Sequence, residues 1–119
     1  MNDPRLKTMS ERDWQKIVLA LAKQGGWIWH HELPSQRASG RWSTHASGEP
    51  GFPDLVLAHQ SGQILFVELK TAKGRTTAHQ EMWLKLLKDA GCEVHVWRPS
   101  DRPQVEYRLI GWKEFGGKF

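Results

Sequence analysis

The chain has 119 residues, 39% of them hydrophobic and 25% charged, a balance that excludes a disordered polymer and leaves room for one packed domain but not two. Lys and Arg outnumber Asp and Glu by 17 to 13, and the formal net charge of +4 suits approach to a polyanion, although many unrelated proteins are as basic. No apolar run reaches membrane-spanning length, Met1-Asn2-Asp3-Pro4-Arg5 lacks the basic-then-apolar order of a secretion signal, and Cys92 alone forms no internal disulfide, so an intracellular protein without membrane contact is expected.

Ser10 with Asp13 three residues on reads as a helix N-cap, and Trp14, Ile17, Val18, Leu21 and Ala22 recur at helical spacing, so a first helix is expected over Glu11–Gln24, closed by Gly25-Gly26. Trp27–His30 follows as a short strand. The stretch from Glu32 to Phe52 lacks apolar periodicity and reads as a long substrate-facing loop. Its Arg37, Arg41, Trp42 and His45 are candidates to touch phosphates and bases, and a solvated insertion is an equal reading. Leu55–His59 and Gln63–Val67 are two apolar runs around Gln60-Ser61-Gly62, a three-residue hairpin loop with glycine in the left-handed position. Beyond Lys70 lies a basic turn, Thr71–Thr76. Thr77 and Gln80 form a capping box for a second helix whose buried stripe is Trp83, Leu86, Leu87 and Ala90, with Gly91 as its stop. Cys92–Trp97 alternates as a strand, and Gln104–Ile110 reads as a further strand through Val105, Tyr107 and Leu109, ahead of a frayed Gly116-Gly117. The seven tryptophans could stack on unpaired bases, but core packing is expected for Trp14, Trp27 and Trp83. The order α-β-β-β-α-β predicts an α/β fold, a mixed central sheet flanked by helices, in one domain over 1–119, with a core of about 10–101 and an extension at 102–119.

The hairpin carries the chemistry. Pairing His59 with Gln63 sets Asp54 across from Glu68, where opposed Cβ atoms lie about 4.5–5.5 Å apart. Lys70 shares the face of Glu68, and Leu69 points the other way. Each acid has a plain structural explanation, as a turn opener after Pro53 or a solvent-facing strand residue beside a lysine. Opposed, they repel unless a cation compensates. An all-oxygen site that retains waters suits Mg²⁺ or Mn²⁺, and carboxylates, a hard divalent ion and an ammonium together suit phosphodiester hydrolysis. Lys73, Arg75 and His79, just past this strand, would reach a phosphate backbone bound there, or form an ordinary solvated turn. The six histidines show no ligand spacing, and no zinc site is expected.

Pro53-Asp54 followed by Glu68-Leu69-Lys70 resembles the signature of the PD-(D/E)XK nuclease superfamily. Gly51-Phe52-Pro53-Asp54-Leu55-Val56-Leu57, Glu68-Leu69-Lys70, Gln80-Glu81-Met82-Trp83 and Val94-His95-Val96-Trp97-Arg98-Pro99, in that order, resemble the VRR-NUC branch in its small stand-alone phage and bacterial form, over roughly Ser10 to Asp101. The resemblance implies a restriction-endonuclease-like core and a site in which Asp54, Glu68 and the backbone carbonyl of Leu69 hold the metal and Lys70 acts in catalysis. It also implies that an acid of the first helix, best matched by Glu11, approaches the metal, and that Gln15 and Gln80 border the active site. Helix-dipole and capping roles account for Glu11 and Gln80 equally well. The implied activity is a homodimeric, structure-selective DNA endonuclease acting on branched DNA such as Holliday junctions, in the cytoplasm of a bacterium or phage-infected cell. The alternatives are a flap, single-strand or nicking nuclease, a non-catalytic DNA-binding module on the same scaffold and, least supported, a ribonuclease.

Overall fold

The computed structural model describes residues 3–31, 48–111 and the backbone of 35–36 and 42–43. A short helix α1 (Pro4–Thr8), capped by Asp3, precedes α2 (Glu11–Gln24), whose N-cap Ser10 accepts the Asp13 N–H at 3.1 Å. Then come β1 (Ile28–His31), the two-residue strands β2 (Ser35–Gln36) and β3 (Trp42–Ser43), β4 (Leu55–His59), β5 (Gln63–Leu69), α3 (Ala78–Asp89) and β6 (Glu93–Trp97). The expected long loop therefore contains a small antiparallel pair, β2 with β3. The main sheet runs β1-β4-β5-β6, antiparallel at the first two junctions and parallel between β5 and β6, with α3 as the crossover. The α-β-β-β-α-β core is the mixed sheet that the sequence predicts.

Alternation along the strands divides the sheet into two unequal faces. Leu55 and Leu57 of β4, and Leu65, Val67 and Leu69 of β5, are buried on one face against Trp14, Val18 and Leu21 of α2 and Trp27. The indole N–H of Trp14 donates to the Trp97 carbonyl at 3.0 Å, tying α2 to β6. On the other face Val56, Phe66, Val94 and Val96 are half-buried and Ile64 is exposed. Here α3 packs over Phe66 through Trp83 and Phe52, and it buries far less than the sequence suggests. Among the described residues no α3 side chain is fully buried: Trp83 and Leu87 are half-buried, while Leu86 and Ala90 lie exposed. Trp83 is thus a flank residue rather than a core one, and the difference arises because α3 covers one side of the sheet alone.

The expected strand at Gln104–Ile110 is a helical segment. A 3₁₀ turn (Pro99–Asp101) leads into α4 (Arg102–Glu106) and a π-helical turn (Tyr107–Gly111). Val105, Leu109 and Ile110 are buried and Tyr107 is 55% exposed, so the apolar positions follow helical spacing; the alternation at 105, 107 and 109 that fits a strand ignored Ile110. Pro99 and Pro103 sit in first turns, where their fixed φ favours a helix. The segment closes the buried face, with the Trp27 indole N–H donating to the Leu109 carbonyl at 3.0 Å.

Candidate active site

The hairpin has the predicted register. Gly62 takes φ +94°, its N–H donates to the His59 carbonyl at 2.9 Å, and the pairs run from His59 with Gln63 to Leu55 with Val67. One step further, ladder bonding passes to side chains: the Asp54 N–H donates to Glu68 Oε1 at 3.3 Å, and the Leu69 N–H donates to Asp54 Oδ2 at 3.0 Å. Each acid is thereby held by the other's strand. The approach to Asp54 is fixed from α3. The Trp83 indole N–H donates to the carbonyls of Glu49 and Pro50 at 3.3 and 3.1 Å, and Phe52 meets the rings of Phe66 and Trp83 edge-on. Gly51, at φ +92°, lies so close to the first turn of α3 that a Cβ there would come within 2.6 Å of the His79 carbonyl carbon.

Glu68 is 1% exposed, the one buried charged residue among those described. Gln80 Nε2 donates to its Oε2 at 2.9 Å, and Lys70 Nζ stands 3.6 Å from the same oxygen, close enough for an ion pair and too long for a strong hydrogen bond. Burial, then the negative charge of Asp54 and a hydrogen bond shared with it, push the Glu68 carboxyl up to about 8 against the pull of Lys70. Glu11, in the first turn of α2, is also raised, by burial first and then by Asp54, with Lys70 opposing, so it lies within the field of the same cluster. Among the described residues, the paired acids Asp54 and Glu68 thus face the Lys70 ammonium, and the Glu11 carboxyl feels the charge of both Asp54 and Lys70. A divalent cation would supply the missing positive charge, and two carboxylates of this kind with the Leu69 carbonyl suit it. Among the described residues no group of three His, Cys, Asp or Glu side chains is arranged to hold a metal ion.

Two contacts that sequence reasoning missed hold the far side of the site. The Lys70 N–H donates to the Trp97 carbonyl at 3.1 Å, extending the β5–β6 pairing by one residue. Arg98 Nη1 then donates to the carbonyls of Thr71 and Gly74, both at 2.6 Å, and closes the basic turn after Lys70. Lys73 and Arg75 on that turn and His79 at the start of α3 are exposed. The Gln15 amide nitrogen lies 2.6 Å from His31 Nε2. Arg37, Arg41 and His45, and the side chain of Trp42, lie outside the described residues.

Fold and site together define an α/β domain whose mixed four-stranded sheet presents an acid pair and a lysine beside its central hairpin. The model of the VRR-NUC domain matches residues 12–101, and the chain belongs to the VRR-NUC family, a nuclease-type, DNA-processing domain. A solved structure described as a VRR_NUC domain superposes with a TM-score of 0.59 at 23% identity, over 89% of this chain and 96% of that one, and shares its fold. No match was found among curated proteins. No helix among the described residues is long and apolar enough to cross a membrane.

Proposed function

We propose that this chain is a divalent-metal-dependent endonuclease that hydrolyses phosphodiester bonds in branched DNA. The observation that carries the reading is the buried Glu68 carboxyl facing Asp54 with a single ammonium, Lys70, beside the pair. Such a cluster costs stability in a resting fold and becomes useful when a cation and a phosphate enter it.

Asp54, Glu68 and the Leu69 carbonyl would hold Mg²⁺ or Mn²⁺, which when bound supplies Lewis acidity to the phosphate being cut. Lys70, 3.6 Å from Glu68, orients water and offsets the negative charge that builds on phosphorus as the new P–O bond forms and the ester bond breaks. Gln80 fixes the rotamer of Glu68, a positioning role. Glu11, whose carboxyl feels the charge of Asp54 and Lys70, would approach the metal from the first turn of α2. Lys73, Arg75 and His79, together with Arg37, Arg41 and Trp42, carry the contacts to DNA.

Each domain presents one such cluster, and two opposed cuts in a four-way junction need two, so the working unit is a homodimer. The test is cleavage of matched four-way junction, flap, duplex and single-stranded DNA with Mg²⁺ or Mn²⁺, alongside Glu68→Ala and an EDTA control. Paired symmetric nicks across the junction, lost in the variant, support the full reading. Cutting of flaps or single strands alone removes the junction preference and keeps the nuclease, and binding with no metal-dependent cutting leaves a non-catalytic DNA-binding module.

A further inference from the structure

A cleft of about 430 Å³ opens on the side of the sheet away from Asp54 and Glu68, between the edge strand β6 and the C-terminal helical segment. Its lining is His95, Trp97, Pro103, Gln104, Tyr107 and Arg108. Of these, Trp97 alone touches the site described above, through its backbone carbonyl, which accepts the Lys70 N–H. Trp97 is 4% exposed and forms the floor, and the His95 ring stacks on it with centroids 5.1 Å apart and planes 27° from parallel. Tyr107 supplies an exposed aromatic wall, and the ring is braced from behind: a Cβ on Gly111 would stand 3.0 Å from Tyr107 Cδ2. A π-helical turn, a backbone form concentrated at functional sites, presents it.

Among the described residues, the charges that line this cleft are matched to one another. Arg108 donates from Nε and Nη2 to the two oxygens of Glu93 at 2.8 and 2.9 Å and from Nη2 to Gln63 Oε1 at 2.6 Å, and its guanidinium lies 5.3 Å from the Trp27 ring centre. Glu93 also meets His95 Nε2 at 2.7 Å. A phosphate would therefore face a neutralised arginine backed by a carboxylate. A flat, uncharged ring with polar edges fits better, its faces against Tyr107 and the His95–Trp97 pair and its edge within reach of the Gln104 amide.

The position of the cleft selects the ring. Trp97, its floor, accepts the backbone N–H of Lys70 at 3.1 Å, so the cleft, which runs along β6 from Arg108 at the amino ends of β5 and β6, reaches with Trp97 the carboxyl ends that carry the acid cluster, on the opposite side of the sheet. From these observations we propose that the cleft is a stacking pocket for an unpaired nucleobase on the strand being processed. A strand passing over this end of the sheet sets a phosphate at the acids and turns a nearby base into the cleft. The inference rests on the nucleic-acid reading above, but not on cleavage.

Binding of a fluorescent oligothymidine strand is compared with that of the same strand carrying abasic sites, at fixed salt and in EDTA so that nothing is cut. The native chain is expected to bind the base-bearing strand about tenfold more tightly, the size of one base–aromatic stacking contact. Tyr107→Ala, at an exposed position, removes most of that preference, Tyr107→Phe keeps it, and Gln104→Leu, which replaces the amide at the exposed rim by an apolar group without a ring face, weakens it without touching the core. Equal affinity of the native chain for both strands overturns the proposal, as does a preference that survives Tyr107→Ala undiminished. A base preference with no metal-dependent cleavage in a parallel assay removes the nuclease reading and leaves the pocket standing.

Discussion

Gln80 and Glu68 are joined through the cap of a helix. The Gln80 carboxamide accepts the Thr77 N–H with Oε1 at 2.9 Å and donates with Nε2 to Glu68 Oε2 at 2.9 Å, while the Thr77 hydroxyl accepts the Gln80 N–H at 3.1 Å. One side chain thus serves both the N-terminus of α3 and the buried carboxylate, and its orientation is set by the cap. Gln80→Ala is expected to cost about 1 kcal/mol in chemical denaturation from the cap alone. Metal-dependent cleavage falls about tenfold or more as Glu68 loses its orienting partner. Gln80→Glu preserves the cap but adds a like charge to the cluster. Its cleavage should fall while its denaturation midpoint near neutral pH drops less than that of the alanine variant.

The raised Glu68 carboxyl sets the sign of a pH effect. Its folded value, about 8, lies above the ordinary 4.5, so between those two pH values the folded chain holds a proton that the unfolded chain has released. The contribution of this group to stability is complete below pH 4.5 and is lost as pH rises through about 8. In EDTA, the stability of the native chain relative to Glu68→Gln should fall across that window. Mg²⁺ reverses the trend, because it binds the ionised form and stabilises the native chain more at the alkaline end. A native-minus-variant difference that stays flat from pH 5 to 8 would contradict the assignment.

Arg98 acts on the turn that carries Lys73 and Arg75, through its two 2.6 Å hydrogen bonds to the Thr71 and Gly74 carbonyls. Arg98→Ala leaves both acceptors without this donor and should cost about 1.5–3 kcal/mol. At a temperature where the variant remains folded, its affinity for DNA also falls, because the cations of the turn lose a common frame. Arg98→Lys, lacking the planar fork, restores the charge but only part of either effect. Binding isotherms and denaturation curves for the pair of variants separate frame from charge.

Gly51 tests how tightly the strand leading to Asp54 is seated on α3. Alanine at φ +92°, with a Cβ 2.6 Å from backbone of α3, is strained on two counts. A loss of about 1–3 kcal/mol is expected from the backbone conformation, with more from the overlap. Cleavage should fall further than stability alone explains, since Asp54 lies three positions on. Denaturation and single-turnover cutting of Gly51→Ala measure the two losses separately.

The hairpin, its register and the opposition of Asp54 to Glu68 were legible because apolar alternation and Gly62 fix the pairing, and a slip of one residue would turn every side chain to the wrong face. The Thr77–Gln80 capping box was legible for a similar reason, since its partners lie three residues apart. Burial of α3 was not, because the stripe of Trp83, Leu86 and Leu87 looks alike whether a helix enters a core or lies across one flank. At residues 105–109 the alternation matched a strand as well as a helix, and only the buried Ile110 and the prolines at 99 and 103 decide between them. Arg98 stood in a motif block, but its role left no mark. Its acceptors are backbone carbonyls, which any sequence supplies.

The most direct measurement is cleavage of a four-way junction and its component duplexes by the native chain, Asp54→Asn, Glu68→Gln and Lys70→Ala, each shown to be folded, in Mg²⁺ and in EDTA. The account expects cutting by the native chain only with the ion, and a loss of at least about a hundredfold in each variant with DNA binding retained. Cutting that persists in EDTA or in Glu68→Gln would contradict it.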